Sequence, residues 1–328
     1  MAKPDPAEII VGSIAAELAT KASLHPLDTL KTRLQYMVLP KSRVTSSVLQ
    51  LPILTDLKFG LKILVDSTRS PHNSFVEPTP ERGSRTLARL RAGASSLYRG
   101  VAIQLLGVLP IAMVYMPTYE FTKEAVRGTV LEQTPAAGVA TGIASAIARV
   151  PVSVVKSRLQ LGLDQSARAA VQRLVAHGGY TGLYSGFRAT VALDVWYAAV
   201  QFTVLENMRS LALRRASSSR ANATQLTTGE NAAIGFATGV IAAILSEPLD
   251  VMRTRMMTQD THGRRGPGNF GYEGVAQGLQ KAIHSESVLA LWKGLLPRLL
   301  TKALGTLLWY TTYMEARRCF AKARQRLA

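Results

Sequence analysis

Long apolar segments, separated by polar and basic ones, dominate the pattern of hydrophobic positions along this chain. Residues 136–155 contain Arg149 as their only charged residue, and residues 231–246 contain no charged residue. Four further segments are apolar with few charged residues: 9–24, 101–119, 191–205 and 295–314. Because a membrane-spanning helix needs about 20 largely apolar residues, the pattern predicts an all-α membrane protein with six transmembrane helices. An even number of spans places both termini on one side of the membrane.

Small residues recur at four-residue spacing in three of these segments. The spaced residues are Gly12 with Ala16, Gly138 with Gly142 and Ala146, and Gly235 with Gly239 and Ala243. Small residues on one helical face let helix backbones approach closely in lipid. The alternative is a soluble all-α protein with buried helices, which the richness in Gly and Ala rather than Leu disfavours. The three similar faces indicate an internal repeat.

Composition and charge limit the classes of protein to which this chain can belong. The 328 residues include 39 Lys and Arg against 21 Asp and Glu, a formal net charge of +18, which favours either a nucleic-acid binder or a membrane protein. Nucleic acid is an unfavourable partner because the basic residues interleave with the ends of the apolar segments instead of forming one basic domain. A single cysteine, Cys319, and five scattered histidines argue against a metal site. Since no catalytic motif is present, we expect no enzyme activity and no cofactor.

A proline motif, P-x-D-x-x-K/R-x-R-x-Q, occurs three times, with some departures, starting at Pro26, Pro151 and Pro248. Each copy lies near the end of an apolar segment and is followed by an aromatic-x-Gly step. The three steps end at Gly100, Gly186 and Gly294. Twenty residues after each of the first two glycines comes an acid, with a base three residues later. Three motifs in phase with three downstream partners indicate a threefold repeat.

The motifs resemble those of the mitochondrial carrier family over essentially the whole chain. The resemblance implies three repeats, assigned to residues 1–126, 127–213 and 214–328, each with two transmembrane helices and a short matrix-surface helix. It also implies a multi-pass monomer in the mitochondrial inner membrane. Repeat 1 contains an enlarged matrix loop, about residues 37–97, with nine Lys or Arg and four Asp or Glu. This loop is a candidate surface for anionic lipids such as cardiolipin, although a solvated loop explains its charge equally well.

By this resemblance, charged residues of the proline motifs form a gate on the matrix side. The acid of one motif pairs with the base of the next, which predicts two complete ion pairs: Asp28 with Lys156, and Asp250 with Lys31. The third pair is incomplete, because Ser153 stands opposite Arg253. Gln35 and Gln160 occupy positions that brace such ion pairs by hydrogen bonding, while Met257 occupies the third position. We therefore expect a matrix gate of moderate strength.

A second set of charges, at the cytoplasmic side, is expected to pair when the cavity faces the matrix. The resemblance gives three pairs: Lys123 with Glu206, Arg209 with Glu315, and Glu120 with Arg318. The last motif is ambiguous. If Tyr313 takes its aromatic position, Met314 and Arg317 occupy the acid and base positions, and one ion pair is lost.

The substrate site is expected about two helical turns beyond each of the three glycines. Counting from them, and backward from the prolines, gives the predicted substrate-binding residues: Lys21, Gly107, Tyr115, Arg149, Asp194, Trp196 and Lys302, with Tyr197 nearby. The second repeat is most similar to S-adenosylmethionine carriers. However, those carriers have an acid in place of Lys21, and an Arg-Glu pair in place of Leu193-Asp194.

These observations predict a carrier that exchanges a small anionic or zwitterionic solute by alternating access. The solute is S-adenosylmethionine-like, nucleotide-like or amino-acid-like, and the sequence does not name it. An alternative is a carrier-fold subunit of a larger inner-membrane respiratory complex, with reduced transport. A third candidate function, a proton-leak pathway, would use Asp194 and the cavity lysines.

Overall fold

A computed structural model describes residues 6–37, 56, 95–129, 136–219, 227–259 and 270–327 of the protein. Within these residues the regular secondary structure is entirely helical. Nine α-helices are named in chain order: α1 Pro6–Tyr36, α2 Val101–Leu106, α3 Val108–Val126, α4 Ala136–Leu161, α5 Ala167–Gly178, α6 Phe187–Ser219, α7 Thr228–Thr258, α8 Val275–Ser285 and α9 Leu295–Leu327. Most of the enlarged loop predicted at residues 37–97 lies outside the described residues.

The long helices form a closed ring. The most extensive contacts join the last long helix of each repeat to the first helix of the next: α3 packs on α4, α6 on α7, and α9 on α1. The contact of α9 with α1 closes the circle between the two ends of the chain. A ring closed in this way encloses a central space toward which side chains of all three repeats can point.

Three prolines mark the end of the ring at which it narrows. Pro26, Pro151 and Pro248 lie inside α1, α4 and α7, where a proline removes a backbone hydrogen bond and bends a helix. These three helices contact one another pairwise across the ring. We call this end of the bundle the proline end. The proline motifs of the three repeats therefore converge at one level.

The glycine of each aromatic-x-Gly step lies where the repeats meet. Gly100, Gly186 and Gly294 have φ values of 85°, 75° and 88°, a left-handed conformation that side chains other than glycine rarely adopt. A Cβ atom at each would lie close to the proline-motif helix of the following repeat: at Gly100, 3.2 Å from the Lys156 carbonyl oxygen; at Gly186, 3.2 Å from the Met257 backbone nitrogen; at Gly294, 2.9 Å from Gln35 Cγ. Glycine is thus needed for conformation and for close packing.

Two short helices, α5 and α8, lie beyond the proline end in repeats 2 and 3. The Arg158 Nε donates to Asp164 at 2.7 Å, and Arg255 donates two hydrogen bonds to Glu286, at 2.6 and 3.0 Å. Burial would raise the pKa of Glu286, but the hydrogen bonds and charge of Arg255 outweigh burial and hold this pKa below its usual value. These buried pairs attach the segments that follow α4 and α7 to the proline-motif helices.

Hydropathy alone identifies fewer spans than the six predicted. By length and composition, the helices Gly138–Leu161 and Gly229–Thr258 can cross a membrane, and Ser95–Leu106 with Val108–Val126 adds a third if this pair, bent by 41°, is one span. The other long helices, α1, α6 and α9, carry more charged and polar residues, which lower mean hydropathy. The prediction of an all-helical fold is confirmed, while the count of six spans stays a prediction.

The close contact at Gly186 predicts a destabilising substitution. In Gly186→Ala, the left-handed backbone should cost about 1–2 kcal/mol, and the new methyl group would also press on the Met257 backbone of α7. Gly271→Ala is a matched control, because Gly271 has a φ of 58° but no atom of the described residues within 4 Å of its added Cβ. Thermal unfolding in detergent should show a larger loss for Gly186→Ala. Equal losses in the two variants would contradict the packing explanation.

Candidate functional site

Two ion pairs cross the ring at the proline end. The Lys31 ammonium on α1 contacts the Asp250 carboxylate on α7, and the Lys156 ammonium on α4 contacts the Asp28 carboxylate on α1. Both pairs are largely buried, and each joins helices of different repeats. Charges at membrane depth are costly unless they are paired. The two ion pairs therefore hold α1 to α7 and α4 to α1 in this conformation.

Glutamines brace both ion pairs. Gln160 Nε2 donates to Asp28 Oδ2 at 2.9 Å, and its Oε1 accepts a hydrogen bond from Thr32. Gln35 Nε2 donates to Asp250 Oδ2 at 2.9 Å, and its Oε1 accepts from Thr254. Both glutamines are fully buried. A buried amide that is fully hydrogen-bonded restricts the carboxylate it contacts, so each ion pair has a fixed geometry.

The third crossing of the ring is weaker. Arg253 Nη2 on α7 donates to the Ser153 hydroxyl on α4 at 3.4 Å, near the upper limit for a hydrogen bond. The Arg253 Nε is buried, and no hydrogen-bond partner for it occurs in the part of the chain that the structure describes. Met257, at the place of the two glutamines, is buried in an apolar cluster with Val150 and Val154. The crossing between α4 and α7 thus has neither an ion pair nor a polar brace.

A buried ion pair that the motifs did not predict lies beside Lys31 and Asp250. Arg298 on α9 donates to Glu247 Oε2 at 2.9 Å and to the Ser246 hydroxyl at 2.8 Å. Its guanidinium also lies 3.8 Å from Asp250. Glu247 in turn accepts a hydrogen bond from Gln35 at 3.0 Å. The sequence signal for this ion pair is the acid immediately before Pro248, because it interrupts an otherwise apolar segment and therefore needs a buried partner.

The motifs also did not predict the contact made by Asp56, which belongs to the enlarged loop of repeat 1. Its carboxylate accepts hydrogen bonds from the backbone nitrogens of Gly294, at 3.0 Å, and Leu296, at 3.2 Å. An acid at a helix N-terminus satisfies free N–H groups and complements the helix dipole. Asp56 therefore attaches the first repeat's loop to the start of α9. Its position in the sequence, far from Gly294, gives no signal for this contact.

Three predicted substrate-site residues lie around the centre of the ring, on α4, α6 and α9, together with Tyr197 and with Arg253, which was predicted for the matrix gate. Arg149 on α4 forms an ion pair with Asp194 on α6, and neither side chain is fully buried. Lys302 on α9 places its ammonium 5.4 Å from the centre of the Tyr197 ring, a cation–π arrangement. Asp194 also interacts electrostatically with Lys302 and Arg253. This group, Arg149, Asp194, Tyr197, Arg253 and Lys302, is called the central cluster below.

Three other predicted substrate-site residues have different surroundings. Lys21 pairs with Glu17 on the same helix at 3.0 Å. Tyr115 stacks on Tyr119 within α3 and is 40% exposed. Trp196 donates its indole N–H to the Leu245 carbonyl of α7 at 3.1 Å, so its ring lies at the contact between α6 and α7. Tyr197, the next residue, is the aromatic residue that contacts Lys302.

Gly107, the remaining predicted substrate-site residue, separates α2 from α3. A Cβ atom at this position would lie 2.6 Å from Val152 Cγ1 on α4. That distance is too short for any side chain at position 107 unless the Val152 side chain or its helix shifts. The geometry accounts for a glycine here by helix packing alone.

The six predicted cytoplasmic-gate residues lie at the end of the bundle opposite the proline end, and all are exposed: Glu120, Lys123, Glu206, Arg209, Glu315 and Arg318. None of the three predicted cross-helix pairs forms among the described residues. Glu315 instead pairs with Arg318 on the same helix at 2.7 Å. Arg317, the alternative base, stacks on Tyr313 and lies against Gly12 of α1. Ion pairs thus join the helices at one end of the ring and not at the other.

The charged and aromatic side chains of the central cluster suit the binding of a small polar solute. No group of three or more His, Cys, Asp or Glu residues that could hold a metal ion occurs within the described ranges. The central cluster offers two guanidinium groups, an ammonium, a carboxylate and a phenol ring. These groups can pair with charges and hydrogen-bonding groups of a small polar molecule.

Known proteins with similar sequences are carriers. The model of the family described as "Mitochondrial carrier protein" matches residues 66–130, 131–216 and 224–324. A probable S-adenosylmethionine carrier 2, chloroplastic, from Arabidopsis thaliana is 34% identical over 70% of this chain. The aligned region spans 64% of that relative's own length.

Two further relatives from Arabidopsis thaliana extend the comparison. S-adenosylmethionine carrier 1, chloroplastic/mitochondrial, is 32% identical over 70% of this chain and 68% of its own. Nicotinamide adenine dinucleotide transporter 2, mitochondrial, is 28% identical over 94% of this chain and 77% of its own. The three matched segments, the closed helical ring and the convergent proline motifs all indicate the same family. The chain belongs to the mitochondrial carrier family, whose members are membrane transporters rather than enzymes.

Proposed function

We propose that the protein crosses the mitochondrial inner membrane six times and exchanges a small anionic or zwitterionic metabolite by alternating access. The observation that carries this proposal is the difference between the two ends of the ring. Braced ion pairs join the helices at the proline end, whereas the charged residues at the opposite end stand apart. The central cluster lies between the two ends. This difference supports a carrier that is closed on one side of its binding site.

In this proposal the proline end is the matrix gate, formed by Asp28, Lys31, Lys156, Asp250 and Arg253 with Gln35 and Gln160 as braces. When the cavity turns to the matrix, these contacts break and the six exposed residues at the other end pair across the ring. Breaking a buried ion pair without replacement costs about 3–5 kcal/mol. Exchange of one set of pairs for the other keeps the two states close in free energy, which a reversible carrier needs.

An adenosine-containing metabolite is the substrate class that the relatives and the central cluster favour together. The names of the relatives specify S-adenosylmethionine or nicotinamide adenine dinucleotide, and both molecules contain adenosine. Arg149 and Lys302 can bind a carboxylate or phosphate, and Asp194 can accept hydrogen bonds from an amino or ribose group. The Tyr197 ring is available for stacking. A simple inorganic anion is a less favourable substrate, because the Asp194 carboxylate would repel it.

The substrate class can be tested on purified protein. A solute that binds the folded carrier raises its unfolding temperature by mass action. A thermal-shift screen of nucleotides, amino acids and adenosine derivatives, followed by uptake of radiolabelled hits into liposomes, should identify an exchanged adenosine-containing solute. Complete absence of uptake across these classes by the wild-type protein would contradict the proposal.

Charge reversal tests the matrix gate. Lys31→Asp should abolish most transport, because it places two carboxylates beside each other at membrane depth. Adding Asp250→Lys should restore part of the rate by re-forming the ion pair in reverse. Rescue should be incomplete, since the new lysine would lie near Arg298.

The matched control is the exposed pair Glu124 and Arg127, which lie 3.4 Å apart at the C-terminal end of α3. Reversing either or both of these charges should leave uptake unchanged, because exposed ion pairs contribute little. If Lys31→Asp transported normally, or if the double variant were no better than the single one, the gate assignment would have to be withdrawn.

Removal of a central-cluster charge should weaken solute binding without unfolding the bundle. A hydrogen bond to a charged group is worth roughly 1.5–3 kcal/mol, so Lys302→Ala and Asp194→Ala should each weaken binding about ten- to a hundredfold. Titration of thermal stability with the solute measures the affinity, and Glu124→Ala serves as an exposed control. Wild-type affinity and uptake in both cluster variants would exclude these residues from the site.

A further inference from the structure

Positive charges outnumber negative ones in the central cluster. Asp194 is paired with Arg149, and Lys302 lies over an uncharged ring. Arg253 has only the neutral Ser153 hydroxyl as a side-chain hydrogen-bond partner. Among the described residues of this cluster, three cationic side chains therefore face one carboxylate.

The surroundings of the cluster do not cancel this excess. Asp28 and Asp250 also act electrostatically on Arg253, but each already neutralises a lysine of the matrix gate. Lys302 is likewise near Asp250, and Lys31 and Arg298 oppose that attraction. The two ion pairs of the gate and the pair of Glu247 with Arg298 are thus each balanced, and the excess positive charge stays on Arg149, Arg253 and Lys302.

Unsatisfied donors lie at the same place. Arg149 Nε and Arg253 Nε are both buried, and neither has a hydrogen-bond partner in the described parts of the chain. The hydrogen bond of Arg253 to Ser153 is long, at 3.4 Å. A buried guanidinium donor without an acceptor is unfavourable, so this side of the ring can gain stability from an acceptor that the protein does not supply.

We infer that an anionic group of the transported solute takes the position of the acid that Ser153 replaces, and accepts hydrogen bonds from Arg253 with Arg149 beside it. The solute would then complete the third crossing between α4 and α7. The inference rests on the proposed function and specifies its substrate class: a metabolite with net negative charge, such as a phosphate-bearing adenine nucleotide. S-adenosylmethionine, whose sulfonium and ammonium groups outweigh its carboxylate, fits this cluster less well.

Three probes separate charge from adenosine recognition: nicotinamide adenine dinucleotide, which is anionic; S-adenosylhomocysteine, which is zwitterionic; and S-adenosylmethionine, which is cationic. Affinities are measured by thermal-shift titration of the wild-type carrier and of Ser153→Asp. The same substitution at Ser285, exposed on α8, is the control for an added carboxylate.

The wild-type protein should bind the dinucleotide most tightly and S-adenosylmethionine least tightly. Ser153→Asp should weaken dinucleotide binding about ten- to a hundredfold, the equivalent of one charged hydrogen bond, and should raise the unfolding temperature of the solute-free carrier. Ser285→Asp should change neither the order nor the affinities. Arg253→Gln, a second variant in case Ser153→Asp does not fold, should also lose the preference for the dinucleotide.

Two outcomes would overturn the inference in distinguishable ways. If the wild-type carrier binds S-adenosylmethionine most tightly, or if Ser153→Asp and Arg253→Gln both keep the dinucleotide affinity, the inference fails while the adenosine-carrier proposal stands. If the wild-type carrier binds none of the three probes, the proposed substrate class itself fails, and the inference fails with it.

Discussion

A charge at membrane depth is stable only beside a partner or water, and this constraint explains the arrangement of the proline end. Lys31 pairs with Asp250, and Lys156 pairs with Asp28, so in both ion pairs the partner comes from another repeat. Closing the ring brings each charge to its partner. The glycines at the ends of the aromatic-x-Gly steps allow the helices to come close enough for this pairing.

The three crossings of the ring are not equivalent. The crossing of α1 and α7 has an ion pair, a glutamine brace and the adjacent pair of Glu247 with Arg298. The crossing of α1 and α4 has an ion pair and a brace, while that of α4 and α7 has a long hydrogen bond to a serine. Opening at the proline end should therefore cost least between α4 and α7. The weakest crossing also lies next to the central cluster, where a bound solute can influence it.

Much of this architecture could be predicted from the sequence, because a threefold repeat places equivalent residues in register. The contacts of Lys31 and Lys156 follow from aligning three prolines, and their role as a gate stays a prediction. The pairing of Glu247 with Arg298 and the contact of Asp56 with α9 could not be predicted, because they depend on side chains outside the motifs. The orientation of Trp196 toward α7 depends on helix rotation, which spacing from a single glycine leaves open. Hydropathy alone does not test the prediction of six spans, because charged and polar residues on α1, α6 and α9 lower the mean hydropathy of these helices.

The central claim, that the ion pairs at the proline end hold the opposite end open, can be measured as a distance. Spin labels at Arg127→Cys, at the C-terminal end of α3, and at Ser210→Cys on α6 report the width of the end opposite the prolines by pulsed electron paramagnetic resonance. Cys319→Ser removes the native cysteine, so that only these two positions are labelled. With Lys31 intact, the solute-free carrier should give one long distance. Lys31→Gln should shift a substantial share of molecules to a shorter distance, as the unpaired proline end opens and the other end closes. An unchanged distance distribution in Lys31→Gln would contradict the account.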